Sequence, residues 1–129
     1  MRQVIWIEYQ EIEQENGGNS ERLPLLKDAV ADTPQDHEEQ IIAYLRNAPS
    51  YSSMGKVVRD VLKPSNGVKL YPGTNTDGLY LWPAELAYYV GNYHIRLPPH
   101  FVERMASKNW QPPLKSSIDY KNLYNGLGE

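Results

Sequence analysis

Residues 79–93 constrain the fold more than any other stretch, because the spacing of their apolar side chains changes from that of a strand to that of a helix. Leu79-Tyr80-Leu81-Trp82 is a short apolar and aromatic run preceded by turn formers, and it reads as a strand. Pro83 stands where a first helical residue tolerates a missing N–H, and Leu86, Tyr89, Val90 and Tyr93 recur at i, i+3, i+4 and i+7. A chain holding both periods is expected to fold as a small α+β domain, with a short antiparallel sheet and about three helices packed on it.

The other elements follow from the same reading. Val4-Ile5-Trp6-Ile7 is β-branched and aromatic, so residues 1–9 read as a buried strand. Residues 10–36 form an acidic loop region containing the breaker cluster Asn16-Gly17-Gly18-Asn19, with Leu23, Leu25 and Leu26 able to dock it. Asp36 and Glu39 have the spacing of a capping box before Ile41, Tyr44, Leu45 and Ala48, which predicts a helix at 37–47. The valines of 56–62 favour a strand there. Residues 67–71 and 79–82 are expected to form a hairpin across the turn-rich 72–78. Pro98-Pro99 opens a further helix with Phe101, Val102 and Met105 on one face, completing a core of 37–107. Residues 108–129 read as a polar tail in which Tyr120, Leu123 and Tyr124 are docking points.

At 129 residues one domain can bury a sizeable core. Without a cysteine, disulfides, thiolate zinc sites and cysteine nucleophiles are excluded. No apolar run is long enough for a membrane span and acid follows the first apolar residues early, so a cytoplasmic protein is expected. Charge is uneven. Residues 1–50 hold ten acids against four bases, whereas 51–129 hold nine bases against six acids.

The segment from Asp77-Gly78-Leu79-Tyr80-Leu81-Trp82-Pro83 through Tyr88-Tyr89-Val90 to Tyr93-His94 and Phe101-Val102 resembles a motif of small bacterial proteins. Many of those look like immunity proteins of contact-dependent growth inhibition and polymorphic toxin systems. A weaker likeness covers Ile41–Leu45. The resemblance implies a partner, the C-terminal domain of a cognate toxin, which the immunity protein neutralises. It assigns no contact residues, because every matching residue also has a structural role.

The contact residues are instead expected from charge. A nuclease toxin binds a polyanion in a basic cleft that an acidic partner can occupy, and complementary charge speeds association. The candidates are Glu8, Glu11, Glu13, Glu15, Asp36, Glu38 and Glu39, with Tyr88 as an aromatic anchor off the buried stripe of its helix. Acidic runs also serve simply as solvated faces. A second reading places a small-ligand or enzyme pocket near His94, Glu85 and Asp77; a third makes the chain a self-associating module. No catalytic residue, metal or cofactor is assigned, since His37, His94 and His100 lack metal-site spacing. Lys56, Arg59, Lys63 and Lys69 with Tyr51 and Tyr71 form a candidate nucleic-acid stripe, but the isoelectric point near 5.6 argues against direct nucleic-acid binding. The free chain is expected to be a monomer or weak dimer.

Overall fold

The structure is a computed structural model that describes residues 4–12 and 22–127, the side chains of 124–127 excepted. Its elements are β1 (Ile5–Trp6), α1 (Glu38–Asn47), β2 (Ser50–Ser53), β3 (Val58–Arg59), β4 (Lys69–Leu70), β5 (Gly73–Thr76), β6 (Tyr80–Pro83), α2 (Leu86–Tyr93), α3 (Pro99–Ser107) and α4 (Tyr120–Leu127). This is the expected α+β domain. Its main sheet has the order β1-β6-β5-β2, and β3 pairs with β4 in a separate two-stranded ribbon. The main sheet is mixed, because β1 enters parallel to β6 with Ile5 opposite Tyr80 while the other pairs are antiparallel.

Alternation along the strands sorts the core into two layers. Tyr80 and Trp82 of β6, with Ile5 and Ile7, face a large cluster with Tyr44, Leu45, Leu86, Tyr89, Val90, Phe101 and Met105. Leu81, with Val4 and Trp6, faces the other way and packs against Ile118, Tyr120 and Leu123. The sheet is therefore covered by α1, α2 and α3 on one side and by the C-terminal segment with α4 on the other. Among the described residues no helix is long and apolar enough to cross a membrane.

Three local readings change. The hairpin partner of β6 is β5, with Asn75 opposite Trp82, and Asp77 N bonds Tyr80 O (3.2 Å) across a tight turn whose tip is Gly78-Leu79, with Gly78 at φ 95°. The polar run Thr74-Asn75-Thr76 looks like loop in sequence but is buried, with Asn75 Nδ2 donating to Leu45 O and Thr76 Oγ1 to Tyr80 O. Residues 69–70 pair instead with 58–59. Pro83 ends β6 rather than opening α2, since Ala84 N still bonds Gly73 O and continues the ladder. Asp36 does not cap α1: the cap position is His37, in the left-handed region at φ 60° and without a side-chain cap bond.

Glu11 fastens the loop region to this frame. Its two carboxylate oxygens accept the amides of Leu26 (2.6 Å) and Lys27 (3.0 Å), at the first turn of a short 3-10 helix that buries Leu26 completely. Glu11→Ala should remove about 1 kcal/mol of stability, the usual worth of such a cap. Urea denaturation checks it, and an unchanged midpoint would show that the amides are as well served by water.

Candidate functional site

Three helix ends meet at one corner of the molecule. His37 precedes α1, His94 ends α2, and Asn109 and Trp110 follow α3. These four are the non-glycine residues with positive φ among the described residues, at 60°, 53°, 56° and 60°. Left-handed backbone costs an L-residue roughly 1–2 kcal/mol, so its concentration here requires compensating contacts. His94 Nδ1 lies 2.8 Å from Glu38 Oε2, and Gln35 Nε2 donates both to Glu38 Oε1 and to Ile95 O. The rings of His37 and Trp110 stack with centroids 4.8 Å apart and planes inclined by 18°. His37 is exposed and Trp110 half-buried, so the pair is a fixed aromatic feature on the surface.

The chain approaching this corner is acidic. Residues 28–39 contain Asp28, Asp32, Asp36, Glu38 and Glu39 and no lysine or arginine. Asp28, Asp32, Asp36 and Glu39 are exposed, as is Val30, which keeps 42% of its surface. Backbone bonds from Ala31 N to Tyr93 O (3.1 Å) and from Arg96 N to Ala29 O (2.8 Å) hold the strip against the end of α2. Lys27 and Arg96 border it. Beyond Trp110, a shallow groove of about 340 Å³ continues between α1 and the segment 110–115, lined by Ala43, Pro49, Pro112, Pro113 and Leu114 together with the polar Asn47, Gln111 and Lys115. Leu114 is 76% exposed. Acids beside a fixed ring and an apolar groove have the anatomy of a protein interface, a desolvated centre with a polar rim.

The residues proposed from sequence divide between this corner and other places. Asp36 and Glu39 lie exposed on the strip, and Glu38 sits at its edge bonded to His94. Glu8 is half-buried after β1, and Glu11 is committed to the 3-10 helix. Glu13 and Glu15 lie outside the described residues. Tyr88 is half-buried with its hydroxyl 2.8 Å from Asp60 Oδ2, so its polar edge is already engaged. Trp110 is the aromatic side chain that the corner presents. In sequence its signal is a tryptophan placed just before Gln111-Pro112-Pro113, where no helix can bury it.

Asp77 and His94 do not share a bonding partner among the described residues. Asp77 bonds Tyr44 and Arg104, while His94 bonds Glu38. A second cavity of about 220 Å³ is lined by Asp77, Arg104, Lys108 and Asp119 but not by His94 or Glu85. Among the described residues no group of three or more histidine and acidic side chains is arranged to hold a metal ion. Comparisons with protein-family models, curated proteins and solved structures find no match for this chain.

Proposed function

We propose that the chain is a cytoplasmic immunity protein, which docks a basic toxin domain on the acidic strip 28–39 around the His37–Trp110 ring pair. The carrying observation is the strip itself: five acids without a lysine or arginine, four of them exposed beside a fixed tryptophan. The partner would be a nuclease domain whose substrate cleft, built for a polyanion, accepts the carboxylates and is occluded by them. The likeness of 77–102 to immunity proteins supplies the kind of partner, and the strip lies outside that stretch, where a partner-specific surface can vary.

Co-expression with the nuclease toxin domain proposed as its partner tests the reading. Rescue of growth and co-purification are expected; a toxin that stays lethal and unbound would refute it. Within the complex, the double change Asp32→Lys and Asp36→Lys should slow association about tenfold at low salt and alter dissociation little, as exposed rim charges do. Trp110→Ala should instead speed dissociation about thirtyfold, the equivalent of a ~2 kcal/mol anchor. Stopped-flow measurements at several salt concentrations separate the two effects.

A further inference from the structure

The β3–β4 ribbon carries a charge pattern that the fold alone does not explain. Its register places Arg59 directly opposite Lys69, two cations side by side on exposed positions. Like charges facing each other across strands destabilise a pair. Lys56 and Lys63 are exposed at the ends of β3's neighbourhood, and Arg59, Lys63 and Lys69 have no acidic partner among the described residues. The nearest acid in sequence, Asp60, is fully buried, and its oxygens accept bonds from Leu62 N, Lys63 N, Asn66, Tyr88 and Tyr93. It is turned away from the cations.

The inner face of the ribbon is Val58 and Leu70, which pack on the core. Continuing the antiparallel register by one residue sets Val57 opposite Tyr71 on the same outer face as Arg59 and Lys69. Val57 is 52% and Tyr71 69% exposed. The outer face thus carries Tyr71 and Val57 beside two cations, Arg59 and Lys69, on a ribbon that Met54 N to Pro72 O (3.2 Å) joins to the β2–β5 ladder. Cations tracking a backbone beside a ring on which a base stacks are the two components of a single-strand nucleic-acid platform. An anionic membrane would need more apolar surface than one valine beside the tyrosine.

We infer that the outer face of the β3–β4 ribbon binds single-stranded nucleic acid, with Arg59 and Lys69 on phosphates and Tyr71 stacked on a base. The acidic total of the chain does not prevent this, because screening makes the field at the ribbon depend on charges within about 10 Å. The site is independent of the acidic strip and of its partner.

Fluorescence anisotropy of labelled oligo-dT and oligo-U of about 12 nucleotides, at about 50 mM salt, tests the inference. Binding is expected with a log–log salt slope of about −1.4, as two phosphate contacts give on a single strand. Tyr71→Ala should weaken it about tenfold and Tyr71→Trp should keep it, while Arg59→Glu with Lys69→Glu should abolish it. Thermal melts confirm that these surface variants remain folded. Absence of binding, indifference to the ribbon variants, or equal affinity for polyglutamate or phosphatidylserine vesicles would overturn it.

Discussion

Asp60→Ala is expected to destabilise the fold by about 3 to 4 kcal/mol, although the side chain touches no ligand and no charge opposes it directly. Five donors converge on this buried carboxylate: two backbone amides that close the turn after β3, the Asn66 amide, and the hydroxyls of Tyr88 and Tyr93 on α2. Hydrogen bonds to a charged acceptor are each worth about 1.5–3 kcal/mol, and the donors left behind in a half-buried site lose more than they regain from water. The ribbon would lose its tie to α2, so the loss should be cooperative.

The same geometry fixes the pH dependence. Burial by itself favours the neutral acid, but the bonds from Tyr93, Tyr88 and the Leu62 and Lys63 amides outweigh it and hold the Asp60 carboxyl below its ordinary value. A group depressed in the folded state contributes stability that is fully present above about pH 4 and is lost as pH falls through its lower folded value. The stability gap between the wild type and Asp60→Ala should therefore be constant near neutrality and narrow in acid. Urea denaturation at a series of pH values measures it, and a gap that widens in acid would show the carboxylate to be unfavourable. Burial, and then Asp60 itself, raise the Tyr88 and Tyr93 hydroxyls, which keeps them protonated as donors throughout this range.

The second large effect belongs to Asp77. Asp77→Ala should destabilise by about 3 kcal/mol, because one carboxylate joins three elements. Its Oδ1 accepts Leu79 N (3.0 Å) and Tyr80 N (2.8 Å) and so shapes the β5–β6 turn. Its Oδ2 accepts Tyr44 Oη of α1 at 2.6 Å and Arg104 Nε of α3 at 3.3 Å. The Asp77 side chain is fully buried, whereas Arg104 keeps about a quarter of its surface, so removing the acid leaves a buried hydroxyl stranded but lets the guanidinium turn to water. Tyr44→Phe alone should lose about 1.5–2 kcal/mol, the low end for a bond to a charged acceptor. A double-mutant cycle on Tyr44 and Asp77 should then give a coupling of about 1 kcal/mol or more. Additive losses would mean that Asp77 acts through the turn alone.

Much of this architecture was legible in the sequence, and the failures share a cause. Helices α1, α2 and α3 follow from their apolar spacing, and the observed ends differ from the reading by only a few residues. What periodicity cannot show is a polar residue satisfied inside a sheet. Thr74, Asn75 and Thr76 carry turn chemistry yet form the central strand β5, because Leu45 O and Tyr80 O await their side chains. The capping reading of Asp36 failed for a related reason: Glu38 is drawn to His94, and His37 takes up the backbone turn.

The candidate surface was legible in part. The excess of early acids was plain, but their separation into committed and exposed members depends on contacts distant in sequence. Glu11 reaches Leu26 and Lys27, and Glu38 reaches His94 across 56 positions, so neither is a simple surface charge. Trp110 becomes a candidate anchor only once the end of α3 is brought beside the start of α1. The ring on α2 chosen from helical phase, Tyr88, has its hydroxyl bonded to Asp60.

The central claim is that a partner seats on the corner formed by 28–39 and the His37–Trp110 pair. Amide chemical-shift mapping addresses it most directly, with the isotopically labelled chain titrated by the basic toxin domain proposed as its partner. Movement should be concentrated in 28–39, 93–96 and 109–114, with the helix α4 face quiet. Shifts centred on α4 or on the β3–β4 ribbon, with 28–39 unmoved in a saturated complex, would contradict the account.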